Sequence, residues 1–472
     1  MVLTPAVARR GRAGPYGIIA ALALGSATMA LMQTLIVPVL PALPAIFGSS
    51  ISSTSWAATA ALVAGAVASP VAGRMGDLYG KRPAVLVSLG LSLVGLVISA
   101  LAVSLPMLIA GRALQGAGAG VISLAYGILR DDLPPALVAR GVALMTAVSL
   151  AIGAGLGPVA MGAILDRWGW RPVFWSGAAM AVVALVLAAA LLDSSPRGVA
   201  AAFDWIGAGG LSLALVALLL AITRGSEWGW SSPATIGLFT VAVALGLVWS
   251  RWERRRESPL VDLVMTLRRP VLITHLGGAM VGFATFMQYV ATFTLVSLST
   301  VTGFGFGRTM VVAGLTQVPG AVAMAVAVPI AGRVAATRGP RALLTVGSLA
   351  IALGFAISLV RHDELWQVTL GATVIYAGLG LAFSALPMLV MANVPVDETA
   401  SANAVNAVSR VVGSAIGAAV ASAVLASGVA TIAGARFPER WTFAVIYVLG
   451  AAGALGAAVL ARRLPAYSPI SS

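Results

Sequence analysis

Long runs of apolar residues recur along the whole chain, and short polar segments separate them. A helix needs about 20 mostly apolar residues to cross the hydrocarbon core of a bilayer. Fourteen runs have roughly this length, so the pattern predicts fourteen membrane-spanning helices, which we number as spans 1 to 14. Their expected positions are 16–39, 55–73, 83–104, 107–128, 141–164, 172–192, 204–222, 233–250, 270–296, 309–330, 342–360, 366–391, 404–429 and 441–461.

The composition agrees with a membrane protein. Hydrophobic residues make up 60% of the chain and charged residues 9%, whereas a soluble domain has about 25% charged residues. There are no cysteines, which excludes disulfides, zinc–thiolate sites and cysteine nucleophiles. The adjacent acids Asp131 and Asp132 have no histidine nearby. We therefore expect no metal, no cofactor and no enzyme activity.

The positive charges predict the orientation of the spans. The net charge of +14 would suggest nucleic-acid binding in a soluble protein, but here most Lys and Arg residues lie in short loops. Twenty of the 29 lie on the side where span 1 begins, seven lie on the other side, and Arg112 and Arg410 fall within spans. This asymmetry predicts that both termini are cytoplasmic and that the protein lies in the inner (plasma) membrane. The run from Tyr16 to Val39 exceeds the apolar core of a signal peptide, so we expect an uncleaved first span.

The acidic residues follow a different rule. All 15 Asp and Glu residues fall in loops or at the ends of the predicted spans. Buried Arg112 and Arg410 would therefore have no carboxylate near the middle of the bilayer.

Two loops of the chain resemble each other. Residues 73–82 and 332–341 both begin with Gly-Arg and continue with Gly-x-Arg at the same spacing, although Ala336 replaces Asp77. Repeated halves are common in transporters. The repeat predicts two six-helix bundles plus two extra linker helices, with domains at 1–192, 193–269 and 270–472.

The first of these loops, residues 73–82, contains glycines and charged residues that could hold neighbouring helices together. Its glycines allow helix ends to approach closely. Asp77 can face the N-terminus of a neighbouring helix, where a negative charge is favoured by about 0.3–1 kcal/mol, and Arg74 and Arg82 can bridge carboxylates. We expect a cytoplasmic latch that holds one conformation closed; the alternative is an ordinary positive loop. The latch residues are Gly73, Arg74, Gly76, Asp77, Gly80, Lys81 and Arg82.

Spans 4 and 5 carry two further motifs. Arg112 and Gln115 share one helix face, and a membrane-buried arginine normally faces a partner or a cavity. In span 5, Gly153 and Gly157 form a small-residue ridge that favours close helix packing. Pro158 permits a kink, and Gly162 completes the run.

These segments together resemble a known family. Residues 73–82 resemble the signature loop of the major facilitator superfamily, and 111–120 resemble its Arg-x-x-Gln-Gly motif, in which the arginine is linked to proton transfer. Residues 153–162 resemble the antiporter motif of drug exporters. The segments 203–207 and 259–263, with Asn406 and Arg410 of span 13, resemble the fourteen-helix drug/proton antiporter family. The resemblance implies the major facilitator fold, multidrug efflux and antibiotic resistance.

The chain departs from this family on span 1. Members usually carry an aspartate there, whereas this chain has Met32 followed by Gln33. We therefore expect the transported compound to be neutral, zwitterionic or weakly anionic. Proton coupling would use Asp77 together with Arg112, or else His275, because imidazole titrates near neutral pH.

The resemblance also implies that spans 1, 4, 9 and 12 line a central cavity. By depth along their spans, polar residues of spans 1, 4 and 9 should share one pocket in the outer half of the membrane. The expected substrate-binding residues are Gln33, Arg112, Gln115, Thr285, Gln288 and Tyr376.

We therefore expect a monomeric secondary transporter that exports small amphiphilic compounds by alternating access, in exchange for protons. Its partners would be the substrate, protons and the lipid bilayer, with no nucleic acid. Two alternatives stay open. One is a transport-inactive or lipid-handling relative of the same fold, and the other is a facilitator without proton coupling.

Overall fold

The computed structural model describes residues 14–36, 39–193, 202–432 and 435–465. Within them, fourteen helices are long and apolar enough to cross a membrane, which confirms the predicted all-α membrane fold. Arg9, Arg10, Arg12 and Arg197, which the charge count assigns to the cytoplasm, lie outside these residues. Spans 1 to 14 are Pro15–Thr34, Ser53–Tyr79, Lys81–Ala100, Leu105–Asp132, Pro135–Gly153, Trp170–Leu191, Trp205–Gly225, Pro233–Glu253, Arg269–Ser297, Met310–Ala335, Thr337–Val360, Leu365–Met391, Val396–Ser427 and Arg440–Arg462.

Three of the spans are interrupted. In span 10 the helix Met310–Leu315 is followed by a turn before the next helix begins at Val318. The two helices of span 4 meet at Ala117 and Gly120, and beyond Leu150 the helix of span 5 passes through a π-helical segment, Ala151–Leu156, before Gly157–Trp168. Such a π-bulge changes the direction of a helix. Span 13 opens with the 3₁₀ turn Val396–Glu398. Shorter elements join the spans: 3₁₀ turns Leu40–Ala42 and Thr300–Thr302, helices Leu43–Phe47 and Leu263–Thr266, and the antiparallel strands β1 (Val429–Ile432) and β2 (Ala435–Pro438), in which Val429 pairs with Pro438.

The spans pack as two groups. Spans 1–6 contact one another, as do spans 9–14, and the groups meet where span 2 lies against span 13 and span 5 against span 10. Spans 7 and 8 pair with each other, and Leu219 of span 7 packs with Val63 of span 2 and Val412 of span 13. The division at 192 and 269 stays a prediction. We call the side where span 1 begins and span 14 ends the terminal face.

Glycine contacts repeat between the two groups. A Cβ at Gly95 of span 3 would lie 2.5 Å from the carbonyl oxygen of Gly111, and one at Gly354 of span 11 would lie 2.8 Å from that of Gly371. Because no side chain separates the backbones, each hairpin packs very closely. If Gly371 corresponds to Gly111, then Ala372 occupies the position that Arg112 has in the first group. The buried Arg112 therefore has no equivalent in the second group.

Close packing at Gly413 supplies a test of the fold. A Cβ there would collide with the backbone of Ala279 on span 9, whose carbonyl carbon would lie 2.6 Å away, whereas one at Gly246 would meet nothing within 4 Å. We expect Gly413→Ala to destabilise the protein by about 1–3 kcal/mol through overpacking. Gly246→Ala should be neutral or stabilise it by up to about 1 kcal/mol. Melting temperatures of the purified protein in detergent measure this; equal values for the two variants would contradict the packing of spans 9 and 13.

Candidate transport pathway and gate

Asp77 joins the two helix groups on the terminal face. Its Oδ2 accepts hydrogen bonds from the backbone N–H of Ser401 at 2.8 Å and from the hydroxyl of Ser401 at 2.6 Å. Ser401 lies in the first turn of the helix Thr399–Ser427, so the carboxylate faces the positive end of that helix. The sequence indicated such a helix N-terminus, and the structure identifies it as that of span 13.

The basic residues of the loop 73–82 have different partners from those expected. Lys81, not an arginine, contacts the carboxylates: its Nζ lies 2.6 Å from Asp131 and 3.8 Å from Asp77. Arg74 donates to the hydroxyl of Ser258 at 2.8 Å. Arg82 donates to the carbonyl of Ala189 at 2.8 Å, in the last turn of span 6, where carbonyls lack partners within the helix. Neither Arg74 nor Arg82 forms an ion pair with a carboxylate among the described residues, although the charge of Arg74 acts on Glu253 and Glu398.

The loop glycines permit this arrangement. A Cβ at Gly73 would lie 2.9 Å from the carbonyl oxygen of Ala400, and one at Gly76 would collide with Leu124. Gly80 has φ +106°, a conformation that side chains rarely adopt. These positions therefore require glycine for the approach of span 2 to spans 4 and 13 and for the turn into span 3.

Arg130 forms a second bridge between the groups, which the sequence did not reveal. From the last turn of span 4 it donates to the carbonyl of Val394 at 3.1 Å and to the hydroxyl of Thr399 at 2.7 Å. Val394 lies just beyond span 12, where backbone carbonyls lack helical partners. We call the contacts of Asp77 with Ser401 and of Arg130 with Val394 and Thr399 the terminal latch.

Arg112 is buried and satisfied without a carboxylate. Its guanidinium donates to the carbonyls of Met32 at 2.8 Å and Ala57 at 3.0 Å, and to Oε1 of Gln115 at 2.6 Å. Met32 lies in the last turn of span 1, so the cation sits at the negative end of that helix. Gln115 in turn donates to the hydroxyl of Ser99 at 2.8 Å. This network holds spans 1 to 4 together rather than facing an open pocket.

Gln288 belongs to a separate cluster. Its amide donates to Thr292 and to Oε1 of Gln317 on span 10, each at 3.1 Å. Its Oε1 and the buried hydroxyl of Tyr289 have no hydrogen-bond partner in the described ranges. Sequence reasoning missed Gln317, because the only feature that marks this residue in the sequence is an amide side chain within an apolar run. These two orphaned groups are free to bind a polar ligand.

The other predicted binding residues are spread around these clusters. Gln33 is exposed, and its side chain makes no hydrogen bond within the part of the chain that the structure describes. Thr285 donates to the carbonyl of Val281 at 2.7 Å. Tyr376 is 5% exposed and packs against Gly320. Among the described residues no hydrogen bond joins Gln33 or Gln288 to Arg112 and Gln115, which bind each other and nearby backbone carbonyls. A pocket shared by the four residues stays a prediction.

His275 lies in the interior between spans 9 and 13. Its Nδ1 is 3.3 Å from the amide nitrogen of Asn406, which donates to it, so the ring proton is assigned to Nε2. That Nε2 is buried without a partner among the described residues. Arg410 follows Asn406 by one turn, and its guanidinium lies 5.1 Å from the ring centre of Phe383 on span 12.

The glycine ridge of span 5 packs against span 1. A Cβ at Gly153 would lie 2.5 Å from the Cβ of Ala30, and one at Gly157 would lie 2.6 Å from a methyl of Leu31. The hydroxyl of Thr34 donates to the carbonyl of Gly153 at 2.6 Å, in the π-helical segment where such groups are exposed. Pro158 lies in the first turn of the helix that follows, and a Cβ at Gly162 would reach Val311 of span 10 at 3.9 Å.

Carboxylates and histidines form no metal site in the described residues, where no three or more of them cluster. Every Asp and Glu lies in a loop or in the terminal turn of a helix. The site is therefore built from backbone carbonyls, amides, hydroxyls and guanidinium groups.

Comparison with known proteins identifies the family in which this architecture occurs. The sequence profile of the Major Facilitator Superfamily matches residues 22–418. The chain is 29% identical over 361 residues to the multidrug resistance protein Stp of Mycobacterium tuberculosis, covering 75% of this chain and 66% of that protein, just under two thirds of its length. It is 27% identical over 452 residues to the tetracenomycin C resistance and export protein of Streptomyces glaucescens, covering 93% and 80%.

A solved structure has the same fold. The human organic anion transporter MFSD10 (TETRAN) aligns with a TM-score of 0.67 and 17% identity, covering 94% of this chain and 100% of that one. Since the profile spans most of the chain and the fold agrees with it, this multi-pass membrane protein belongs to the Major Facilitator Superfamily.

Proposed function

We propose that this protein exports small amphiphilic compounds across the plasma membrane by alternating access, driven by inward movement of protons. The family consists of transporters rather than enzymes. Relatives named for multidrug resistance and for the export of tetracenomycin C support the direction of transport and the kind of compound. We further propose that the protein acts as a monomer.

The observation that carries this proposal is the terminal latch. The positive-inside asymmetry supports a cytoplasmic location for the terminal face. All the latch contacts are hydrogen bonds to backbone groups or hydroxyls. Such contacts exchange readily with water and contribute about 0.5–1.5 kcal/mol each, or about 1.5–3 where one partner is charged. The two groups can therefore separate on this side without exposing a large apolar core, as alternating access requires.

Protonation of Asp77 would weaken the latch. A neutral carboxyl interacts less favourably with the positive end of span 13 than a carboxylate does. It also accepts weaker hydrogen bonds from Ser401. A proton arriving at Asp77 would then favour opening to the cytoplasm. The Nζ of Lys81 lies 3.8 Å from Oδ1 of Asp77 and favours the ionised carboxylate. The contacts with Ser401 would therefore form again once the proton has left.

Transport by purified protein in liposomes, with the terminal face outward, tests the proposal. Fluorescein and rhodamine 6G are suitable probes because they share a xanthene ring but carry opposite charges. With the interior made more acidic, we expect at least one dye to accumulate several-fold above protein-free liposomes and to leave when a protonophore is added. Dye equilibration without a response to the gradient would indicate a facilitator. No movement of either dye would contradict export and favour the transport-inactive alternative.

Two variants test the proton route. Asp77→Asn keeps an oxygen for Ser401 but cannot exchange a proton, so we expect pH-driven transport to fall at least about tenfold. His275→Ala should have a smaller effect because the imidazole is fully buried between spans 9 and 13. Asp166→Asn, at an exposed position, is the matched control. Full pH-driven transport in both Asp77→Asn and His275→Ala would exclude each as the proton carrier.

A further inference from the structure

Arg410 lies within span 13 and is only partly buried, and it has a different environment from the fully buried Arg112. Its guanidinium makes no hydrogen bond and no ion pair with the described residues, and its Nε is fully enclosed. Its contact is the face of the Phe383 ring, 5.1 Å from the ring centre. Arg112, by contrast, is bound by two carbonyls and an amide oxygen.

An unpaired guanidinium in this position is costly. Enclosing part of a cation without a hydrogen-bond or ion-pair partner is unfavourable, and the cation–π contact with Phe383 offsets only part of this. Such residues within spanning helices usually serve a substrate or ion pathway. The group is therefore prepared to receive an anion that this chain does not itself supply.

The surroundings of Arg410 lie at the junction of the two helix groups. Span 13 packs against spans 4, 9 and 12. Tyr126 of span 4, in the other group, is the titratable residue whose charge would act on the guanidinium. Phe383 thus provides aromatic surface beside the guanidinium, and Tyr126 places a phenol of the other group within electrostatic range of it. A planar ring that carries an acidic oxygen matches this combination of stacking surface and guanidinium.

Arg410 is also linked to the latch through its own helix. Nine residues separate it from Ser401, which corresponds to about 13 Å along a helix axis. A compound held by Arg410 against Tyr126 would contact both groups above the closed terminal face. It would therefore occupy the transport pathway and not the latch itself.

We propose that Arg410 is the anion-binding residue of the transport pathway, so that the exported compounds are aromatic amphiphiles carrying a carboxylate or an acidic phenol. This proposal rests on the exporter function above and specifies its substrate class. Arg112, whose donors are occupied by the backbone, maintains the packing of spans 1 to 4 instead.

Dye binding to the purified protein tests this independently of transport. Fluorescence polarisation should show that fluorescein, the anion, binds at least about tenfold more tightly than rhodamine 6G. Arg410→Gln should weaken fluorescein binding at least about tenfold, because hydrogen bonds to charged groups exceed neutral ones in strength. It should leave the weak rhodamine 6G binding unchanged or improved. Arg410→Lys should restore part of the fluorescein affinity.

Arg308→Gln is the matched control, since it removes one exposed positive charge on the other side of the membrane. Its fluorescein affinity should equal that of the unmodified protein, and the melting temperature of each variant verifies folding. Unchanged fluorescein binding in Arg410→Gln, or equal loss of both dyes, would overturn the proposal. A preference of the unmodified protein for rhodamine 6G would also overturn it. If that cation were nevertheless transported in a proton-driven manner, the exporter function would stand and only the anionic substrate class would be refuted.

Discussion

The carboxylate of Asp77 at the first turn of span 13 is the contact on which the closed state depends. It accepts two hydrogen bonds from Ser401 and lies at the positive end of a helix of 29 residues. Arg130 supports it by binding the chain between spans 12 and 13. Asp77 and Arg130 belong to the first helix group, and their partners Ser401, Val394 and Thr399 belong to the second. These polar contacts close the terminal face, while each group is packed internally by its own glycine-rich hairpin.

Backbone carbonyls compensate the buried positive charge in the first group. The end of span 1 at Thr34 leaves carbonyls without helical donors, and the guanidinium of Arg112 binds one of them at Met32. No carboxylate is needed, which explains how the chain tolerates methionine at this position. The partly buried Arg410 has no such compensation among the described residues. This contrast with Arg112 motivates the proposal that the substrate supplies the missing anion.

Sequence reasoning predicted the spans and part of the terminal latch. Bilayer thickness imposes a length on apolar runs, so fourteen spans could be counted from the pattern. The negative charge of Asp77 beside glycines indicated a helix N-terminus, but the partner Ser401 lies 324 residues further along the chain. The partners of Arg112 and Arg130 could not be predicted, because every residue has a carbonyl. For the same reason the sequence could not show which backbone carbonyls Arg112 and Gln115 bind, and the shared pocket with Gln33 and Gln288 stays a prediction.

Cross-linking across the terminal face tests the central claim most directly. A Cβ at Gly332 of span 10 would lie 3.8 Å from the Cβ of Ala143 of span 5, a separation typical of disulfides. The chain has no native cysteine, so Ala143→Cys with Gly332→Cys forms the only pair. We predict rapid, high-yield disulfide formation, measured by mass spectrometry, that slows several-fold when Asp77→Ala is added. A rate independent of Asp77, or no disulfide in the parent pair, would contradict the account.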